Sequence, residues 1–437
     1  MKRKALAILL ALTLTCTALS ACGKSEDIVA SGTVESSTEE STESSTESST
    51  EASVESSEAS ESSTESSVES SESSEASSES AAASTETASK ESSAPVESSQ
   101  AVASTEAPAP SQAPVPEPPA SNYTPAVIDP SQMYRSELTN EWISQAIQNQ
   151  RPVAIMVDNE KTALDHYGVT QADIVYEMMN STANDEVTRL MCIVKDWGSI
   201  TRFGSIRSVR PTNFMIAPEY NAVLIHDGGP FYINDYLANP WVNNLSGGFA
   251  RIQNGKPREF TEYVTTGEIA SRMKGRGYST DYNSYYQGQQ WQFADGANLG
   301  GYGDAFGCGQ VDLPFPHNAS QLDYDAASNT YLYSEYGRAH VDPQNGNKQL
   351  AFTNVIVQCA DMTQLDVNGY MQFNVQNASG SGYYITGGLA IPVTWSKAGA
   401  TEPTTFYDSN GAEITLNTGK TYIALVASYR WGELALR

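Results

Sequence analysis

The segment Thr201–Pro211, TRFGSIRSVRP, places Arg202, Arg207 and Arg210 within eleven residues, the last two spaced i, i+3, and Arg189 lies a little upstream. A guanidinium presents planar, paired N–H donors that match a carboxylate or a phosphate, so four of them in one region could cradle an anionic ligand. The same donors are used up if they pair with Asp158, Asp173 and Glu177, which the same half of the chain supplies near strand ends. A buried arginine–carboxylate pair holds a fold together without binding anything. The two readings separate on whether the arginines outnumber the carboxylates they can reach.

Three further groups could do chemistry. His226-Asp227-Gly228-Gly229 follows an apolar run; the histidine with its neighbouring aspartate could move a proton, and the glycines would let a ligand approach the backbone. A structural histidine satisfied at a strand end has the same signature. His340 and Asp342 share one face of an extended segment and could begin a metal site, but no further His or Cys lies close by in a chain with four histidines in all. The sequence therefore calls for no metal and no cofactor, although calcium held by loop oxygens stays open. Tyr278–Trp291, YSTDYNSYYQGQQW, carries rings that could stack on sugars or peptides, or could cap a core from an ordered loop. The chain has no G-x-S-x-G elbow, no Walker-type loop and no basic patch for nucleic acid.

These residues must be held by a body of about 315 residues after Asn122, enough for a large core. Glu137–Gln150 reads as an amphipathic helix with Leu138, Trp142, Ala146 and Ile147 on one side. Residues 152–157 are a continuous apolar run of strand length, and 174–179, 187–194 and 222–225 are three more candidate strands. Pro211 suits the first turn of a short helix over 212–217, and Thr265-Thr-Gly-Glu268 fits a capping box for a helix that stops near Gly275 or Gly277. Beyond Gly309 the texture is short strands, at 331–336, 354–359, 371–375, 383–386, 391–395 and 421–426, with Asn368-Gly369 and Asn410-Gly411 as turns. Cys192 sits in an apolar run as a buried thiol, whereas Cys308 and Cys359 could pair or not.

The N-terminus places Lys2, Arg3 and Lys4 before a short apolar stretch and ends in Leu19-Ser20-Ala21-Cys22. That is the layout of an export signal, too short for a comfortable membrane span. The four residues resemble a bacterial lipobox, which implies cleavage before Cys22 and lipidation of its thiol; an ordinary secretory signal is the alternative. Residues 23–121 hold 21 acids and 2 bases among Ser, Thr, Ala and Pro, too few apolar groups to offset the entropy of ordering. With the +3 of the first 22 residues set aside, about −11 of the total −27 belongs to residues 122–437. About 100 such residues reach roughly 300 Å when stretched and about 50–60 Å as a relaxed coil. Such a tether suits holding a domain away from a membrane, with a glycosylated stalk as the lesser reading.

Arg151-Pro-Val-Ala-Ile-Met-Val-Asp-Asn159, Gln171–Glu177, Thr188-Arg189, Arg207-Ser-Val-Arg-Pro211 and His226 with Gly228-Gly229 resemble, in that order, the N-terminal half of the YerB-like lipoproteins. Gly337-Arg338 with His340 and Asp342, Asn354–Gln358, Gly380–Tyr384 and Gly419–Ile423 resemble the second half. The likeness spans nearly all of residues 151–427. It implies a bacterial surface lipoprotein with a three-layer β-β-α sandwich and implies no particular activity. Where that family commonly shows a proline-histidine-asparagine run, this chain has Lys256-Pro-Arg-Glu-Phe260; if that histidine is catalytic in relatives, this chain lacks it.

The expectation is an α+β body with a mainly β C-terminal region behind a long disordered tether. Its parts are a lipoprotein signal at 1–21, a tether at 22–121, an N-terminal region at 122–308 and a C-terminal region at 309–437. Function is expected to be that of a lipid-anchored module on the outer face of the cytoplasmic membrane of a Gram-positive cell. It would bind or regulate at the wall, its partners being the membrane through Cys22 and peptidoglycan or a wall-remodelling enzyme. The alternative is an enzyme on a phosphate- or carboxylate-bearing envelope substrate, with Arg207 and Arg210 steadying charge and His226 moving a proton.

Overall fold

The computed structural model describes residues 129–437; the export signal, Cys22 and the tether lie outside them. The central sheet is mixed and has 11 strands. In chain order these are β1 Val153–Asp158, β2 Ile174–Met179, β3 Thr188–Val194, β4 Val223–His226, β5 Asn244–Ser246, β6 Phe306–Gly307, β7 Asn354–Ala360, β8 Ala378–Thr386, β9 Leu389–Lys397, β10 Thr405–Tyr407 and β11 Thr421–Ala427. Across the sheet they run β6-β9-β8-β7-β11-β2-β3-β1-β4-β5, with β10 on β9. Strands from both sides of residue 308 thus share one sheet, and the last of them, β11, lies parallel to β7 on one side and to β2 on the other.

The central strands β1, β2, β3, β4 and β11 are buried on both faces and so are mostly apolar, whereas β8 and β9 toward one side alternate between buried and accessible residues. Val153, Ile155 and Val157 of β1, Leu190 and Cys192 of β3 and Tyr422 and Ala424 of β11 point to one core. There they meet a second, six-stranded sheet through Val311, Leu322, Tyr331, Tyr333 and Phe352. Ala154, Met156, Met191, Ile193 and Ile423 point to the other face, under helix α1, Pro211–Ile216, whose Phe214, Met215 and Ile216 close that core. The layers are β, β and α, with few helices. The longest helix among the described residues is Glu268–Arg276, which ends at Gly277 in the left-handed conformation, φ +68°.

Two expectations change. Glu137–Gln150 is not a helix: Met133–Arg135 and Trp142–Ser144 form a small antiparallel hairpin followed by one 3-10 turn. Only Leu138 of its supposed apolar face is buried, while Trp142 is 55% exposed with Arg135 stacked over its ring at 4.4 Å. The capping box at Thr265 is also rearranged. Gly267 is the N-cap, and Glu268 reaches back to accept from Thr265 N and Oγ1 at 3.1 and 2.9 Å. Cys192, Cys308 and Cys359 are all free thiols.

His166 is fully buried against His340, its Nδ1 at 3.2 Å from His340 Nε2, while its own Nε2 has no partner. Burial, then the neighbouring His340 and Lys256, hold its pKa well below the ordinary 6.5. A base with a depressed folded pKa binds fewer protons folded than unfolded, so it withdraws stability as pH falls through the unfolded value. Relative to His166→Phe, the wild-type unfolding free energy is expected to drop by about 1 kcal/mol between pH 7 and pH 5.5. Parallel denaturant titrations of the two chains check this, and identical pH slopes refute it.

Candidate functional site

Arg189, Arg207 and Arg210 come together at the edge of the central sheet, lining a cleft of about 620 Å³ with Asn180, Ser208 and Tyr370. Each arrives for a local reason. Arg189 stands in β3 opposite Asp158 of β1. Ile206 forms a bridge with Val157, and Arg207 N donates to Met156 O at 3.0 Å, which lays Arg207 along the end of β1. Arg210 is the residue before Pro211, extended as a residue preceding proline tends to be, and its N–H donates to Asn213 Oδ1 at 2.8 Å as α1 begins.

The opposite wall is a hairpin of Met362–Gln364 and Met371–Phe373. Its turn is shaped by Asp366, whose Oδ1 accepts from Asn368 N and Tyr370 N at 2.9 and 3.2 Å. Gly369 has φ +84°, and a Cβ there would stand 2.7 Å from Ala183 N, so the seat of this turn on residues 181–183 requires glycine.

The three arginines differ in what they hold. Arg207 pairs with Asp158 through Nε and with Glu259 through Nη2 at 2.9 Å. Neither Arg189 nor Arg210 has a carboxylate within ion-pair distance among the described residues. Arg189 Nη1 donates to Asn180 Oδ1, Ser208 O and Ser208 Oγ at 2.8, 2.8 and 3.1 Å, and its buried Nε has no partner. Arg210 Nε donates to Asn180 O and Nη1 to Val209 O, both at 2.9 Å, with its guanidinium 5.0 Å from the Tyr370 ring. Burial above all, with Arg207 opposing and Asp158 supporting the charge, brings Arg189 down to about 10. Burial and then Arg189 bring Arg210 down to about 9. Two largely desolvated cations side by side, each repelled by the other, are relieved by an incoming anion.

Asp158, Glu160 and Glu259 line the same cleft, the first and last of them paired with Arg207, and the other two expected counter-ions are engaged elsewhere. Asp173 accepts from Lys195 N at 2.7 Å. Glu177 accepts from Thr188, Ser320 and Tyr333 hydroxyls at 2.6, 2.7 and 2.8 Å and from Tyr422.

The remaining expected residues lie outside this cleft. Arg202 is stacked between Tyr167 and Tyr263, 3.6 and 4.3 Å from their rings. His226 is buried, with Nδ1 2.9 Å from Gly228 O and Nε2 3.1 Å from Asn244 Nδ2, so both ring nitrogens are occupied. Burial lowers its pKa. Asp227 pairs with Arg251 at 3.3 Å. Gly228 O accepts from Val209 N and its backbone is left-handed, φ +72°, while a Cβ on Gly229 would meet Ile233 Cδ1 at 2.7 Å, so the one glycine serves the turn and the other close packing. His340 Nδ1 meets Glu335 Oε1 at 2.7 Å in the interior. Asp342 is also buried and accepts from Gly168 N and Thr170 N at 3.0 and 3.1 Å, tying down a turn. No group of three or more His, Cys, Asp or Glu side chains gathers for a metal among the described residues. The rings of 278–291 cap the core: Tyr282 and Tyr286 stack at 3.7 Å, and Trp291 is buried.

Residues distant in sequence complete the cleft and carry no motif: Asn180, Tyr370 and Glu259, the last in the Lys256–Phe260 segment that departs from the family's run. The description "Protein of unknown function (DUF3048) N-terminal domain" matches residues 138–279, and its C-terminal counterpart matches residues 311–423. A Bacillus subtilis (strain 168) protein named "Putative lipoprotein YerB" is 24% identical over 308 residues, 69% of this chain and 88% of its own length. The crystal structure of YerB protein from Bacillus subtilis superposes with a TM-score of 0.59 at 20% identity, covering 70% of this chain and 99% of that one. At that identity the likeness speaks to the fold.

Proposed function

This chain belongs to the YerB-like DUF3048 family, and from that premise we propose that it is a lipid-anchored protein of the outer cell surface whose body binds an anionic group of the envelope. The anchor is Cys22 behind its lipobox-like sequence, and the tether over 22–121 carries the body toward the wall. The reading is supported by the name of the Bacillus subtilis relative. The observation that carries the binding role is the pair of a buried Arg189 and a half-buried Arg210 in one cleft, neither ion-paired to a carboxylate among the described residues. Their planar donors fit a carboxylate of a muramyl peptide or a phosphodiester of a glycopolymer. Arg207, neutralised by Asp158 and Glu259, sets the edge of the site. In this reading the protein is a binding or regulatory module. An enzymatic role through His226 receives little support, because that ring stands outside the cleft with both nitrogens bonded.

The test is co-sedimentation of the full chain, in detergent micelles, with purified sacculi and separately with polyglycerol phosphate. Arg210→Ala is expected to weaken retention roughly tenfold to a hundredfold, the worth of a charge-assisted hydrogen bond. Arg210→Lys keeps the charge but loses the fork and should recover only part. Circular dichroism establishes that the variants are folded. Retention by neither material, or equal retention of Arg210→Ala, overturns the reading.

A further inference from the structure

We propose a second binding site, for a neutral saccharide, in the groove where α1 meets residues 371–377. It stands independently of the arginine cleft and uses none of its residues. The groove has a volume of about 460 Å³, and no Asp, Glu, Lys or Arg lines it. On a body whose share of the net charge is about −11, a surface groove without a single charge selects against ions and for a ligand whose polarity is hydroxyl and amide.

One wall is a ladder of amides. Met371, Phe373 and Val375 are buried, 1%, 0% and 1% exposed, so the alternate residues Gln372, Asn374 and Gln376 face outward. Met371–Phe373 is a strand and the chain continues from it into a bend at Gln376, with all three amides lining the groove. Asn374 is steadied by Thr363 Oγ1 at 3.2 Å, while Gln372 and Gln376 make no side-chain hydrogen bond among the described residues. A primary amide carries both donor and acceptor, the pairing that adjacent sugar hydroxyls require.

The other wall is aromatic. Trp241 is half-buried, held edge-on by Tyr285 at 6.1 Å between centroids, and its indole N–H has no partner among the described residues. Tyr236 is braced by stacking on Phe214 at 6.0 Å. Rings of this kind offer an apolar face to the C–H side of a pyranose while keeping a polar edge for its hydroxyls. A concave site with an apolar floor and a few convergent polar groups is the ordinary form of a small-ligand pocket. An extended peptide is a poorer fit, because Phe373 N–H is already given to Thr212 Oγ1 at 2.8 Å and the strand edge cannot simply add another strand.

The test is isothermal titration of the full chain, in detergent micelles, with chitotetraose, cellotetraose and maltotetraose as neutral probes. Saturable binding of at least one is expected, weakened at least tenfold in Trp241→Ala and several-fold in the doubly substituted Gln372→Ala/Gln376→Ala. The latter alters only outward-facing side chains and keeps the test meaningful if Trp241→Ala misfolds. Arg210→Ala should bind the saccharide as wild type does, which separates this site from the anion cleft. Absence of saturable binding to all three, wild-type affinity in the double variant, or loss of binding in a folded Arg210→Ala overturns the proposal.

Discussion

Replacing Glu177 by alanine is expected to lower the unfolding free energy by about 3–5 kcal/mol, among the largest effects a single substitution in this body can have. Glu177 is fully buried on β2, and its two oxygens accept from side chains of five separate segments, Asn159 Nδ2 after β1 being one at 3.3 Å. Thr188 comes from β3, Ser320 and Tyr333 from the second sheet and its approach, and Tyr422 from β11. The carboxylate is thus the polar pin between the two sheets, and its removal strands several hydroxyls in an apolar interior. Glu177→Gln should fall between alanine and wild type, since one amide oxygen remains while the amide N–H groups face hydroxyls that must turn. Burial, then the nearby Glu335, raise the Glu177 pKa above the ordinary 4.5. A carboxyl group that is easier to protonate when folded contributes stability at low pH that is lost as pH rises through its folded value. The glutamine variant should lack this component. Chemical denaturation across pH 4–8 reads both effects, and an alanine variant within 1 kcal/mol of wild type refutes the pinning role.

The second large effect is expected at Lys397, whose side chain is inaccessible at the end of β9. Its Nζ lies 2.8 Å from Glu219 Oε2 and also reaches the carbonyl of Glu402. Glu219 Oε2 further accepts from Thr404 N and Oγ1, both at 2.8 Å, and Oε1 from Tyr176 at 3.1 Å. Lys397→Met removes the cation and leaves a buried carboxylate, a loss of about 3–5 kcal/mol. The double variant Lys397→Met/Glu219→Gln should recover part of it, because no charge is then stranded. A double-mutant cycle on the four chains gives the coupling directly, and strict additivity refutes it.

The middle of the central sheet was legible because those strands are buried on both faces and so are mostly apolar. Val153–Asp158, Ile174–Met179 and Thr421–Ala427 fall within a residue or so of where the sequence puts them. The region 137–150 misled for a related reason. Apolar residues at helical spacing are a proxy for burial, and here only Leu138 is buried. The arginine cluster was legible in residue type but its environment was not. Asp173 and Glu177 looked like counter-ions, yet their partners, Lys195 N and the hydroxyls of Ser320, Tyr333 and Tyr422, come from segments that only the fold brings near. Arg202 lies in the same segment as Arg207 and Arg210, but two tyrosine rings from elsewhere hold it apart. The amide ladder 372–376 was hidden, since its alternation reads as an ordinary half-buried strand until Trp241 is placed opposite.

The place of β11 bears on how the body is made. It contributes seven residues from near the end of the chain, yet it joins β7 to β2 in the middle of the sheet, hydrogen-bonded on both edges. A chain emerging from the ribosome cannot join the two halves of this sheet until those residues are available. Until then β2 and β7 each present an unpaired edge. Assembly therefore waits for β11 and depends on pairings of very long sequence separation, the circumstance in which folding is slow and partly assembled chains are prone to associate. The two halves of the sheet stay separate until β11 is in hand, and that one strand closes them.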